Sequence, residues 1–225
     1  LYTNATIALR PKTGELVWYF QHMPNDQWDL DWVFERQIVE LQVDGALRKV
    51  IVTAGKMALY DALDAETGKY LSSFDVGIQN IVTAIDPDTG DKTINPRAIP
   101  NAEDANLLCP MANGGRNWPS ASINPNTNML YLPLAEICMM FGPTSDTRSL
   151  LSTGVSIAAQ PMPNSDGKFG RIQAIDLQTG EMAWTFREVV PPASATLSTG
   201  GGLVFVGTLD NRFVAFDETN GDILW

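Results

Sequence analysis

Apolar, β-forming positions in this chain come in short runs broken by Asp, Asn, Thr and Gly, as in QIVELQV (37–43), KVIVTA (49–54) and LVFVG (203–207). Branched and aromatic side chains suit a pleated surface, and the polar breaks suit turns. The runs at Gln37–Val43 and Lys49–Ala54, on either side of Asp44-Gly45, predict a hairpin. No useful window places apolar residues at i, i+3, i+4 and i+7, so the pattern predicts an all-β fold.

One unit recurs. Ala174–Trp184 reads AIDLQTGEMAW, of the form A-x-D-x-x-T-G-x-x-x-W. Ala8–Trp18 has Arg10 in place of the Asp, and Ala215–Trp225 has Asn220 in place of the Thr. Ala62–Gly68 and Ala84–Gly90 carry the front half alone, and Ile123–Asn128 is a degraded version. Asp and Thr side chains can bond backbone groups of a turn, and Gly accepts the positive φ that closes it, so each copy predicts strand, tight turn, strand. Small Ala before the turn and bulky Trp after it suit sheets packed face to face, with Trp filling space between neighbours. From Ala8 to Ala62, Ala174 and Ala215 the steps are 54, 112 and 41 residues, the middle one with room for two units. A period of about 40 to 55 residues predicts a β-propeller of four-stranded blades, about four of them in this chain, with insertions lengthening some steps. Residues Thr83–Asn106, rich in Asp, Pro, Thr and Asn, predict an excursion outside the regular sheets, and residues 145–168 a loop.

Composition narrows the function classes. Fifteen basic against 26 acidic residues among 225 give a net charge of −11, with no basic cluster to track phosphates. Nucleic acid and anionic membrane surfaces are therefore not predicted partners. No apolar run is long enough to span a bilayer, and the N-terminus lacks Met, a basic stretch and an apolar core of a leader. Because the chain opens inside a strand-like run (LYTNATIAL) and stops at a motif Trp, it reads as a single propeller domain over 1–225, incomplete at both ends.

Candidate chemistry is sparse. In HMPNDQWDLDWVFERQ, the carboxylates Asp26, Asp29 and Asp31 form either a metal cluster or a loop whose backbone amides they hold while Trp28 and Trp32 anchor it. The second reading is preferred, since a calcium loop needs a Gly at its sharp turn and a closing Glu that are not in place. His22, the one histidine, reads as an ordinary loop residue; a His-pair zinc site is excluded and no G-x-S-x-G accompanies it. Lys56, near the start of a strand in AGKMALYDALD, reads on its own as a surface lysine. Gly114-Gly115 permit unusual backbone before Arg116-Asn117-Trp118, or belong to an ordinary loop. Gly200–Gly202 precede a strand rather than a helix and so predict a flexible turn, not a phosphate cradle. Cys109 and Cys138 can pair or remain free thiols.

The repeat, together with WYFQHMPNDQWDLD, GRNWPSASINPNTNMLY and GGLVFVGTLDNRFVAFD, resembles the pyrroloquinoline quinone (PQQ) dependent alcohol dehydrogenases, of methanol and ethanol dehydrogenase type, over essentially the whole chain. The resemblance implies an eight-bladed propeller fastened by tryptophan-docking motifs and a periplasmic location. It implies oxidation of a small alcohol to an aldehyde or ketone: an aspartate takes the hydroxyl proton, hydride passes to PQQ C5 with a calcium or lanthanide ion polarising the carbonyl, and electrons leave to cytochrome c or quinone.

Three features carry over by residue. Lys56 matches the Lys or Arg that reaches the quinone oxygens, where a cation would stabilise the developing charge. Asn117 matches an asparagine that binds PQQ, and Trp118 would wall the cofactor pocket or pack between blades, with packing preferred. Cys109 and Cys138 match a disulfide. The family's catalytic aspartate is expected just upstream of Leu1, and the metal ligands and the tryptophan under PQQ further upstream, so no catalytic or metal residue is assigned within the sequence. PPASATL (191–197) departs from the Trp-Gly-Gly of methanol-oxidising members and points to another branch of the family. The alternative is a non-catalytic propeller with PQQ-like repeats, of the outer-membrane assembly type; Lys56, GGRNW and the cysteine pair favour the enzyme. Nothing in the sequence fixes an oligomeric state.

Overall fold

A computed structural model describes residues 2–100, 104–143 and 155–225. Strands β1 (Ala5–Leu9) and β2 (Leu16–Gln21) form an antiparallel pair. Strands β3 (Gln37–Val43), β4 (Ala46–Ala54), β5 (Leu59–Asp64) and β6 (Tyr70–Asp75) follow as a four-stranded sheet in chain order. A separate hairpin, β7 (Val82–Ile85) and β8 (Lys92–Ile94), precedes a single 3-10 turn at Pro96–Ala98 and strand β9 (Asn106–Leu108). Strands β10 (Ser122–Asn124) and β11 (Met129–Ala135) begin a second four-stranded sheet. The chain leaves it to form β12 (Ile137–Pro143) and β13 (Val155–Pro161), then completes it with β14 (Gly170–Asp176) and β15 (Met182–Glu188). β12 pairs with β13 on one side and β9 on the other. The last sheet holds β16 (Leu197–Ser198), β17 (Leu203–Gly207) and β18 (Phe213–Asp217), with Ile223 bridging Phe216 where a fourth strand would run.

The four blade sheets agree with the propeller reading, and the differences are local. The 112-residue step holds one blade swollen by β7–β9 and β12–β13, not two units. Residues 155–161, placed in a loop by composition, are strand β13, paired along its length with β12. AIDPDTG makes the β7–β8 turn outside the blades, and INPNTN makes the β10–β11 hairpin rather than a turn of the repeat type. Turn chemistry is local, so it makes a hairpin wherever the chain carries it.

At the true repeats the physics is as the sequence implies. Asp64 Oδ1 accepts from Glu66 N, Thr67 N and Thr67 Oγ1 at 2.8–3.1 Å, and Gly68 closes the turn at φ +72°. Ala8 faces Trp18, Ala174 faces Trp184 and Ala62 faces Ser72 across their strand pairs. Each Trp then seats on the turn glycine of the following sheet. A Cβ at Gly68 would lie 2.5 Å from the Trp18 ring, and one at Gly221 would lie 2.5 Å from that of Trp184. Trp184 Nε1 also donates to Glu218 O at 2.8 Å. Where the repeat carries Ser72 instead, the corresponding Gly180 meets nothing nearer than Phe74 at 3.8 Å.

Each gap between sheets has its own apolar core: Trp18, Leu63 and Tyr70; then Val52, Tyr60, Leu132 and Ile175; then Tyr131, Trp184, Val204 and Phe216. A further cluster of Trp28, Trp32, Met57, Leu108 and Met139 roofs one end. Antiparallel order puts the β5–β6 and β14–β15 repeat turns at one end of the sheets. The β4–β5 turn, the β11–β14 insertion and the linkers between sheets share the other end. Cys109 and Cys138 are bridged, tying the segment after β9 to β12 at that end across 29 residues.

Candidate functional site

Lys56 lies in the β4–β5 turn rather than at a strand start; Ala58 at φ +56° turns the chain, and Ala58 N donates to Gly55 O. The linker between β2 and β3 wraps it. Lys56 N donates to Asp31 O at 2.9 Å, and Nζ donates to Asp29 O at 2.8 Å, with Asp31 Oδ2 at 2.8 Å and Asp29 Oδ2 at 3.2 Å. Burial alone would pull the ammonium down, but the hydrogen bonds and charges of Asp31 and Asp29 outweigh it and raise its pKa above the ordinary lysine value. Lys56 is thus a nearly buried, firmly charged cation, not a surface lysine.

The acidic loop divides its labour. Asp26 does what the bland reading asks, accepting from Trp28 N, Leu30 N and Asn4 Nδ2. Trp28 and Trp32 are buried anchors. Asp29 and Asp31 hold the lysine. Among the described residues no three His, Cys, Asp or Glu side chains are grouped to hold a metal ion.

Gly114-Gly115 bring the next linker against the same lysine. Gly114 has φ +86°, and a Cβ there would lie 2.2 Å from Arg116 O and 2.8 Å from Lys56 Cβ, so glycine is required at this position. Gly115 N donates to Lys56 O at 2.8 Å, and Gly115 O accepts from Ala135 N at 2.7 Å, joining the turn, the linker and β11. Asn117 stands two residues further along. Its Nδ2 donates to Asn113 O at 2.7 Å and its Oδ1 accepts from Trp118 N at 2.8 Å. It borders a cleft of about 220 Å³ walled by Asn113, Arg116, Leu134, Ile137 and Pro192. Trp118 is 71% exposed and meets the Phe34 ring edge-on. The preferred packing role for Trp118 is not what the structure shows.

Two groups have partners that the sequence did not reveal. Arg116 is buried, donating to Ala54 O at 2.8 Å and Glu35 Oε1 at 2.5 Å, with its guanidinium 4.8 Å from the Phe34 ring centre. It, more than Asn117, ties the second linker to the β3–β6 sheet. His22, read as an ordinary loop residue, is fully buried beside β2. Nδ1 lies 2.7 Å from Asp61 Oδ2 and Nε2 lies 2.7 Å from Thr6 Oγ1. Asp61 also accepts from Lys92 Nζ at 2.9 Å and Ser73 Oγ at 2.6 Å. Burial holds the imidazole below its ordinary pKa despite Asp61, so it is neutral, with Nδ1–H donating to Asp61 and Nε2 accepting from Thr6. Its hydrogen-bond partners come from β1 and β5, and the lysine that holds Asp61 from β8, too far apart in sequence for spacing to reveal.

Comparison with known proteins places this geometry. The profile of the PQQ family described as glucose/ethanol/alcohol dehydrogenase, beta-propeller domain, matches residues 1–77 and 91–225. The chain is 31% identical, over its whole length, to the dehydrogenase subunit of alcohol dehydrogenase (quinone) from Komagataeibacter europaeus, covering 32% of that protein. It is also 31% identical, again over its whole length, to 1-butanol dehydrogenase (cytochrome c) from Thauera butanivorans, covering 34%. A europium-containing methanol dehydrogenase superposes on the whole chain with a TM-score of 0.90 at 26% identity, the chain covering 40% of it. The chain spans about a third of the length of the curated relatives it matches.

Proposed function

Because the chain belongs to the PQQ glucose/ethanol/alcohol dehydrogenase β-propeller family, we propose that it is part of an enzyme oxidising a small alcohol to an aldehyde or ketone. The observation that carries this reading is the junction of Lys56 with the Gly114–Asn117 linker, made by the 2.8 Å bond from Gly115 N to Lys56 O. It sets a cation at the same end of the sheets as an amide that borders an open cleft.

PQQ, when bound, supplies a two-electron acceptor in the form of a planar quinone bearing carboxylates. The residues fit such a group. Lys56 keeps its charge, and its partners Asp29 and Asp31 are 66% and 41% exposed. The ammonium can therefore exchange an aspartate for a ligand oxygen without stranding a buried carboxylate. Asn117 spends one Nδ2 proton on Asn113 and has a second to give. Trp118 offers an exposed indole beside it. Lys56 and Asn117 would hold the cofactor, Trp118 would wall it, and Gly114 leaves no side chain between the loop and the lysine stem.

In this reading Lys56 is electrophilic: its fixed charge stabilises negative charge that develops on an oxygen held at Nζ. No proton-abstracting base and no metal ligand is assigned to this chain. A calcium or lanthanide ion and transfer of electrons to cytochrome c or quinone belong to the same proposal. The bridged Cys109–Cys138 pair suits an oxidising compartment, here the periplasm. The test is the full-length protein with PQQ and calcium, assayed against an alcohol panel with an artificial electron acceptor. Dye reduction that requires PQQ is expected; absence of both PQQ binding and dye reduction overturns the reading.

A further inference from the structure

We infer that His22 is a positioning residue for Lys56, acting through Trp32 and Asp31. The inference rests on the reading of Lys56 as a cofactor-binding cation.

Trp32 is the link. Its ring lies on the His22 imidazole at 4.4 Å between centres and 5° between planes. Its backbone is pinned at both sides, N–H donating to Asn4 Oδ1 at 2.9 Å and C=O accepting from Arg36 Nη2 at 2.9 Å. Gly55 presses on it so closely that a Cβ would come within 2.8 Å of the ring and 2.7 Å of Asp31 O. Asp31, the neighbour of Trp32, holds both ends of Lys56: carbonyl to the lysine N–H and carboxylate to Nζ. A displacement of the Trp32 ring that shifts its backbone shifts Asp31, the adjacent residue, and with it both bonds to Lys56.

His22 fixes that ring because its own position is over-determined. Arg36 Nε donates to Thr6 Oγ1, Thr6 Oγ1–H donates to His22 Nε2, and His22 Nδ1–H donates to Asp61. Asp61 is anchored in turn by Lys92 and Ser73, and Ser73 by Tyr70. From Arg36 through Thr6, His22 and Asp61 each of these donors has an acceptor, so the imidazole cannot tilt without breaking a buried hydrogen bond. A flat, polar-edged ring is needed, since one edge must bond both Thr6 and Asp61 while a face carries the indole.

The experiment compares full-length wild type, His22→Gln, Asn4→Gly and Lys56→Met. Glutamine can still reach Asp61 but removes the ring under Trp32. Asn4→Gly suits the native φ of +49° and removes the acceptor for Trp32 N–H. Lysine accessibility is read by limiting acylation with acetic anhydride and peptide mass spectrometry, with exposed Lys12, Lys49 and Lys69 as internal standards. PQQ affinity is read from quenching of intrinsic fluorescence in the cofactor-free protein.

In His22→Gln, acylation of Lys56 should rise about tenfold against the standards and the Kd for PQQ should weaken about tenfold, as expected when a supporting contact is lost. Asn4→Gly should do the same and decides the matter if His22→Gln does not fold. Unchanged Lys56 labelling in the folded variants, whatever their melting temperature, overturns the positioning role. Unchanged PQQ affinity in Lys56→Met instead overturns the cofactor reading, and leaves the labelling result to decide the link from His22 to Lys56 on its own.

Discussion

Gly114 lies against Lys56 so closely that a methyl group on it would sit 2.8 Å from the lysine Cβ and 2.9 Å from its Cγ. With φ at +86°, Gly114→Ala meets a backbone penalty of about 1–2 kcal/mol and the cost of displacing both the Arg116 carbonyl, 2.2 Å from the new methyl, and the lysine stem, about 1–3 kcal/mol or more. Urea unfolding of the variant should show that summed loss, and PQQ affinity should fall with it. A variant with wild-type stability would mean that the linker and the turn are not in contact.

Lys56→Met should separate stability from function. Its carboxylate partners are 66% and 41% exposed and can turn to water, while Asp29 O loses a donor, so the fold should lose about 1–3 kcal/mol. Loss of a preorganised cation at a developing charge should lower kcat about 10²- to 10³-fold. Steady-state kinetics with saturating PQQ measure it, and an unchanged kcat would remove Lys56 from the site.

The seating of Trp on Gly can be tested within one molecule. Gly68 and Gly180 have nearly the same φ, +72° and +75°, so alanine costs about 1 kcal/mol in backbone strain at each. Only at Gly68 does the added methyl strike an indole, Trp18 at 2.5 Å. Gly68→Ala should therefore be less stable than Gly180→Ala by about 1–3 kcal/mol. Equal midpoints in denaturant would refute the seating.

Acid should weaken the fold in two stages. Burial holds His22, which faces Asp61, Lys92 and Arg36, below the ordinary value of 6.5. The unfolded chain thus takes up this proton first, and stability falls as pH drops below about 6.5 towards the folded pKa. Burial pushes Asp61 up, but the His22 hydrogen bond and the Lys92 charge hold it below 3.8. Its contribution is present above 3.8 and disappears as pH falls through the folded pKa. His22→Gln should flatten the first stage and keep the second, as read from urea midpoints at several pH values; an unaltered slope between pH 7 and 5 would exclude a neutral buried His22.

Replacing Cys109 and Cys138 together by serine should cost about 3.5 kcal/mol, the loop-entropy value for a bridge spanning 29 residues. Alkylation of the unfolded, unreduced wild type should label neither cysteine.

What could be read from the sequence was what is local. The Asp64–Gly68 turn is written in five adjacent residues, and the structure draws it as expected. Which sheet such a turn serves is not local, so AIDPDTG and INPNTN make hairpins at other places in the architecture. The flanking residues single out Lys56 in the sequence but not its turn, because positive φ at Ala58 leaves no mark on an alanine. His22 was misread because its burial is the work of Asp61, 39 residues away, and of an indole ten positions on.

The two ends of the sheets carry different obligations, and this bears on how such a chain can change. Turns that seat the neighbouring indole leave no room for extra residues, whereas the opposite end already accommodates a hairpin, a three-stranded flap and a disulfide without altering the order of any blade sheet. Insertions and deletions at the cleft end can therefore reshape what approaches Lys56 and Asn117 while the fastening of sheet to sheet goes undisturbed. Recognition and assembly are, in this chain, nearly independent variables.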